Sequence, residues 1–257
     1  MKPQNAKSYF GAAVVFTALL SCSLPPPKYV NIEDHGKIAL VSFSMNRSIV
    51  GTGQEKDRGP GLLQKSKKYY SGHEESLDVL WTKFRDEIGD VFLNVPFVDF
   101  DEVTSNEKYQ ELTKHKPKMI MGKDVAPGSD QMSPEEINYI SVYDKKKLDS
   151  VAAIFGVELL LLIENQMGYD SSSAIISIKT SHLNLNTKIH LYKPGEGVIM
   201  SGSFEGKSDE RISLLAGEAK SEDFAGCTSS AAQKVLVRMK EYILKQKENA
   251  IAAGDPI

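Results

Sequence analysis

The spacing of apolar residues changes period repeatedly along this 257-residue chain, and each change predicts an element. Residues 37–43 (KIALVSF) form a β-rich run suited to a buried strand. Leu77, Leu80, Trp81, Phe84 and Ile88 recur at helical spacing, and Gly89 stands where such a helix would stop. Residues 92–100 (FLNVPFVDF) return to strand-like composition, with Pro96 confining them to an edge or a bulge. Residues 106–112 fit a short helix. Ser133-Pro134-Glu135-Glu136 reads as a helix start: a cap, a proline in the first turn, then acids near the positive end of the dipole. Leu148, Val151, Ala152 and Phe155 make a helical stripe that ends at Gly156. Residues 157–164 (VELLLLIE) follow at once as a strand covered on both faces.

Over residues 175–192 the period falls to two. Leu183, Leu185, Ile189 and Leu191 alternate with His182, Asn184, Lys188, His190 and Tyr192, the signature of a half-buried strand. Lys193-Pro194-Gly195-Glu196-Gly197 makes a turn, and residues 198–204 return as the second arm of a hairpin. Ala232, Val235, Leu236, Met239, Tyr242 and Ile243 line the apolar face of a long C-terminal helix. Lys240, Lys245 and Lys247 lie toward its negative end. The order of strands and helices predicts an α/β fold, with α+β as the near alternative. It would hold a mixed sheet, a C-terminal antiparallel hairpin and packed helices. Stretches 51–68 and 114–131 are polar and carry Gly and Pro, so they read as loops, and residues 250–257 read as a loose tail. No repeat or clean boundary interrupts residues 37–249, which are expected to form a single domain.

The first 22 residues follow a different logic. Lys2 and Lys7 give a basic start, residues 10–20 an apolar middle, and no acid precedes Glu33. A basic end, a short apolar core and the small residue Ser21 at the cut describe a secretory signal peptide over residues 1–21. The apolar run falls short of the ~20 residues that span a bilayer. Pro25-Pro26-Pro27 then favours a stiff, extended tether within residues 22–36. The whole chain carries a formal charge of −3, and removing Lys2 and Lys7 makes the remainder more acidic still. No basic excess is present to neutralise phosphates, so nucleic acid is not an expected partner. The chain has two cysteines, Cys22 and Cys227, too few for a disulfide framework once Cys22 is otherwise engaged. Cys227 reads as a small core residue near a helix start.

Cys22, placed directly after Leu19-Leu20-Ser21, resembles the lipobox of bacterial lipoproteins. That resemblance implies cleavage between Ser21 and Cys22, acylation of the Cys22 thiol and new amino group, and attachment to a membrane through lipid. Ser23 stands where an aspartate would mark inner-membrane retention in enteric lipoproteins, so the resemblance implies an outer-membrane address. A second resemblance covers residues 149–205. A helix ending in glycine (DSVAAIFG) runs into an aliphatic strand (VELLLLIE), then an alternating strand (HLNLNTKIHLY), a glycine turn (KPGEG) and a short strand (VIMSGSF). This pattern resembles a domain shared by the curli-secretion lipoprotein, the lipoprotein activators of peptidoglycan synthases and the amino-terminal domain of the Tol-system propeller protein. It implies a binding or scaffold module for envelope proteins, facing the periplasm or the cell surface, with no enzymatic role. The curli relatives imply an alternative, a homo-oligomeric outer-membrane secretion pore into which the hairpin would insert. The alternation over residues 175–192 carries only a modest apolar face, which suits the domain's own core better.

Catalytic and metal signatures are sparse. Residues 59–66 (GPGLLQKS) approach a phosphate loop, but Gln64 occupies the place where a glycine must precede Lys-Ser. His35, His73, His115, His182 and His190 form no close ligand pair, so neither a metal nor another cofactor is expected. Ser171-Ser172-Ser173 and Ser229-Ser230 lie in no nucleophile elbow. Asp99 and Asp101 on one face of a strand end would suit acid–base work, which leaves a periplasmic hydrolase as a further alternative. Lys145-Lys146-Lys147 reads as a wet surface before a helix.

Overall fold

A computed structural model describes residues 30–46, 50–52, 73–93, 95–114, 119–120, 123–124, 131–170, 179–215, 218–219 and 221–252. After a 3-10 turn at Ile32–His35 come β1 (Ile38–Asn46), β2 (Val50–Thr52), α1 (His73–Val91), α2 (Phe100–Ser105) and α3 (Glu107–Thr113). Then follow β3 (Met119–Ile120), β4 (Lys123–Asp124), β5 (Gln131–Met132) and α4 (Lys145–Phe155). The chain ends in β6 (Leu159–Asp170), β7 (Lys179–Lys193), β8 (Gly197–Leu215), β9 (Glu218–Ala219) and α5 (Ser221–Ala252). The main sheet runs β5-β1-β6-β7-β8-β9, with β2 also paired to β6, while β3 and β4 make a separate ladder. The fold is α/β with a mixed sheet. β1 and β6 are parallel, Ile38 opposite Leu159, and β6, β7 and β8 form an antiparallel meander. A parallel pair needs a crossover, and α1 to α4 supply it.

One face of the sheet is covered by α1 and α5. Phe43 of β1 lies 5.1 Å from the Trp81 ring and 5.5 Å from Phe84. By register, Leu161, Ile163 and Met167 of β6 share this face with Leu185, Ile189 and Leu191 of β7. All are at most 1% exposed, as are Phe224, Ala231, Val235 and Met239 of α5. Each large apolar side chain buried this way contributes about 1.5–3 kcal/mol. Asn165 interrupts the apolar set. Its Nδ2 donates to the Ser44 carbonyl at 2.9 Å and its Oδ1 accepts from Thr187 Oγ1 at 2.7 Å, so its polar groups are satisfied in place. Gly206 of β8 lets α5 sit directly on the strand: a Cβ there would lie 2.1 Å from the Ala231 carbonyl oxygen.

Among the described residues, the other face is covered over β1 by α3 and residues 134–142, and over the start of β6 and end of β7 by α4. The Tyr109 hydroxyl of α3 donates to the Val41 carbonyl at 2.8 Å, and the Ile140 amide donates to Ser42 Oγ at 2.9 Å. Tyr192 closes α4 onto β7, its hydroxyl donating to Asp149 Oδ1 at 2.8 Å. Tyr192 is 1% exposed, so the expected polar position on that strand is a core position.

Several boundaries differ from the sequence reading. α1 runs through Gly89 to Val91, and the chain turns at Leu93, whose φ is 57°. Residues 92–100 form no strand. They touch β1 at a single bridge, with the Ile38 amide donating to the Pro96 carbonyl at 2.9 Å. Pro96 offers no N–H to extend the ladder, and Asp99 then starts α2. Ser133-Pro134-Glu135-Glu136 starts no helix. Residues 134–137 make one turn, because Ile137 and Ile140 are drawn into the core and Asn138 is tied to Gln110 and Thr113 at 2.8 Å each. β6 and β8 extend beyond residues 164 and 204, and α5 continues to Ala252 with Ala250 buried, so residues 250–252 of the expected loose tail are helix and the rest lies outside the described residues. The expected loops at 51–68 and 114–131 lie mostly outside the described residues.

Candidate functional site

Beyond the part under α3 and α4, the described residues of β6, β7 and β8 present a polar field on this face. Register sets its rows. Leu162 of β6 lies opposite His190 of β7, and His190 opposite Ser201 of β8. The next rows are Glu164–Lys188–Ser203, Gln166–Asn186–Glu205 and Gly168–Asn184–Lys207. Strand alternation puts these side chains on the face away from α5. Gln166, Lys188, Ser201, Ser203, Glu205 and Lys207 are exposed, and Glu164, Asn184, Asn186 and His190 are half-buried.

Hydrogen bonds fix part of the field. Ser203 Oγ donates to Asn186 Oδ1 at 2.9 Å, and Ser201 Oγ lies 2.9 Å from His190 Nδ1. The Ser201 hydroxyl also reaches the Ile189 carbonyl at 3.3 Å. With its proton directed there, the hydroxyl accepts from the imidazole, the reverse of what a base-activated serine needs. Partial burial holds the His190 pKa below its ordinary value; Glu164 opposes that shift and Lys188 adds to it. Tyr139, on the segment that borders the field, has its pKa raised by burial and then by the Glu164 charge. Charges of both signs alternate across the rows: Glu164 beside Lys188, and Glu205 two residues from Lys207. Such a surface offers amide, hydroxyl and charged partners to a flat polar ligand and offers little to an apolar one.

The expected site residues do not converge on this field. Ser21 and Cys22 lie outside the described residues, as do residues 59–66, Ser171-Ser172-Ser173 and His115. Asp99 and Asp101 do not share a strand face. Asp99 caps α2, its Oδ1 accepting from the Asp101 amide at 2.9 Å, and Asp101 pairs with Arg85 at 2.8 Å. Both carboxylates are thus engaged in local structure. His35 lies 3.2 Å from Glu158, and His182 Nδ1 lies 2.8 Å from the Ser208 carbonyl. No group of three or more metal-ligating side chains occurs among the described residues. Cys227 is buried and free, as its place in the pattern predicts, and burial raises its pKa. Leu183, Leu185, Ile189 and Leu191 are all 0% exposed, so the alternating strand lays its apolar side on the core. No described helix is long and apolar enough to cross a membrane.

The sequence reading ends its strands at residues 164 and 204, so the rows carried by Gln166, Gly168, Glu205 and Lys207 lie beyond it. The signal was present in SGSFEGK (residues 201–207), where polar residues hold the odd positions and glycine or phenylalanine the even ones.

No family model matches the chain, and no curated protein matches it. Among solved structures, the chain is similar to the C-terminal domain of LpoB from Salmonella enterica, with 13% identity, 66% of this chain and 82% of that chain covered, and a TM-score of 0.30. It is also similar to a putative neuraminyllactose-binding hemagglutinin homolog from Helicobacter pylori, with 10% identity, 90% and 96% covered, and a TM-score of 0.35. A lipoprotein from Neisseria meningitidis shows 12% identity, 83% and 99% covered, and a TM-score of 0.31. Likenesses at this level assign neither a family nor an activity to the chain.

Proposed function

We infer that this chain is a lipid-anchored envelope protein whose folded domain is a binding or scaffold module for other envelope proteins. The anchor rests on the sequence of residues 1–22, with Cys22 as the acylated residue and Ser23 favouring the outer membrane. Binding rests on one observation. The sheet buries one face under α1 and α5, and among the described residues it exposes Gln166, Lys188, Ser201, Ser203, Glu205 and Lys207 on the other. Mixed charge and side-chain amides suit a polar protein surface, and the reading assigns no bond-making step to the domain.

The test uses the full chain in a Gram-negative envelope, with a photoreactive residue replacing Ser203. A discrete protein adduct is expected, and Lys188→Glu should abolish it. An adduct that survives Lys188→Glu, or none at Ser203, overturns the assignment of this face. Palmitate labelling that vanishes in Cys22→Ala is expected in the same cells. Unlabelled, soluble wild-type protein overturns the anchor.

A further inference from the structure

β8 is nineteen residues long, yet among the described residues its outer side pairs only with β9, at Leu214 and Leu215. A long open edge of this kind is a template for another strand. Here the edge is met by one row of α5 side chains. Tyr242 donates to the Ser201 carbonyl at 3.2 Å, Arg238 to the Glu205 carbonyl, and Lys234 to the Lys207 carbonyl at 2.7 Å. Ser230 accepts from the Asp209 amide at 3.2 Å. Residues 230, 234, 238 and 242 follow each other at four-residue intervals, so they form one stripe along the helix. The stripe reaches the edge because Gly206 lets α5 settle onto the strand beside it.

We propose that Ser230, Lys234, Arg238 and Tyr242 are an edge guard, and that the surface they close is a strand-pairing site for β8 of a second copy of this chain. The second copy is the occupant because the edge complements itself. Ser201, Glu205 and Lys207 point their carbonyls outward, and in an antiparallel strand a residue's N–H and C=O point the same way. An antiparallel pair centred on Gly206 then sets Glu205 of each copy opposite Lys207 of the other. Opposite charges so placed support pairing. The guard engages the outward Ser201, Glu205 and Lys207 carbonyls and the Asp209 amide within the chain and denies them to the neighbour.

The experiment compares the full chain in detergent with the triple variant Lys234→Ala, Arg238→Ala, Tyr242→Phe. Sedimentation gives the mass, and zero-length crosslinking of mixed light and heavy isotope samples identifies joins between copies. The expected result is a monomeric wild type and a dimeric variant carrying a Glu205–Lys207 join between copies. Adding Ser203→Pro removes an outward N–H without costing a bond to β7 and should return the variant to monomer. A folded triple variant that stays monomeric overturns the proposal. So does a dimer that lacks this join or ignores Ser203→Pro, and so does a wild type that already shows the join. Should the triple variant lose its native circular dichroism, Lys234→Ala alone carries the test on the same criteria, the fraction joined rising severalfold.

Discussion

Gly206 and Gly202 hold the helix-facing side of β8 for different reasons. A Cβ at Gly206 meets backbone, the Ala231 carbonyl oxygen at 2.1 Å, whereas at Gly202 it meets the far edge of the Phe204 ring at 2.6 Å. A ring can swing and a helix backbone cannot. Gly206→Ala should therefore cost about 3 kcal/mol, the upper end for overpacking, and Gly202→Ala about 1 kcal/mol, both read from urea midpoints. Thr187→Val keeps the shape but leaves Asn165 Oδ1 without its donor in a site where Asn165 is 2% exposed. A loss of about 1–3 kcal/mol is expected by the same measurement. Neither role was legible in the sequence. Gly202 falls within the returning arm of the hairpin and Gly206 just beyond it, and nothing in a pattern of types shows which backbone approaches them. The aliphatic positions of β7 were legible, because their period alone sets the face they occupy, and Cys227 was legible as a small core residue near a helix start.

Elements were legible where side chains decide their own fate and illegible where distant contacts decide it. β1, α4 with its Gly156 cap at φ 61°, and the β7–β8 hairpin follow from local pattern. The cap signal at Ser133-Pro134-Glu135-Glu136 was overridden by Asn138, which α3 captures from outside the segment. α1 passed Gly89 because the apolar stripe continues to Val91 at 3% exposure, which outweighs the ~1 kcal/mol cost of a helical glycine. The α4–β7 junction makes a prediction at this scale. Burial and the neighbouring Asp149 push Tyr192 up to about 12 from an ordinary 10.0. A raised pKa in the folded state means full stability below pH 10.0, lost as pH rises toward about 12. Tyr192→Phe should lower stability at neutral pH, where the Asp149 bond is lost, and flatten the alkaline decline in urea titrations. His190 acts in the opposite window. Its pKa is depressed in the fold, so its contribution is present above 6.5 and lost as pH falls through the folded value. His190→Gln should make the acid limb of the stability profile shallower.

For the whole molecule, the sequence order of strands and helices was enough to give an α/β fold with a mixed sheet. What it did not give was asymmetry. β6 and β8 outrun their aliphatic segments and carry polar rows past the reach of α3 and α4, so among the described residues one face is roofed and the other is roofed only in part. That difference depends on strand length, and strand length here is set by pairing with β7, which runs along both β6 and β8. A further whole-molecule prediction follows from α5, which contacts both α1 and the sheet. Ending the chain after residue 239 removes the buried Ile243 and Ala250, and should lower the thermal midpoint by several degrees and expose α1 to hydrogen exchange.

The 3-10 turn at Ile32–His35 fixes a direction in space. Glu33 pairs with Lys247 at 2.6 Å near the end of α5, and His35 lies 3.2 Å from Glu158 at the foot of β6. Ile32, 5% exposed, is sunk into the core between them. The chain thus enters the domain at one pole, the pole that also holds the β7–β8 turn. With lipid on Cys22, the eight residues to Val30 reach at most about 29 Å. That pole would rest toward the bilayer, and the strands would stand like posts, their polar rows turned sideways at graded heights. A neighbour anchored in the same leaflet would meet the His190 row low down. One reaching from across the periplasm would meet the Asn184–Lys207 row first.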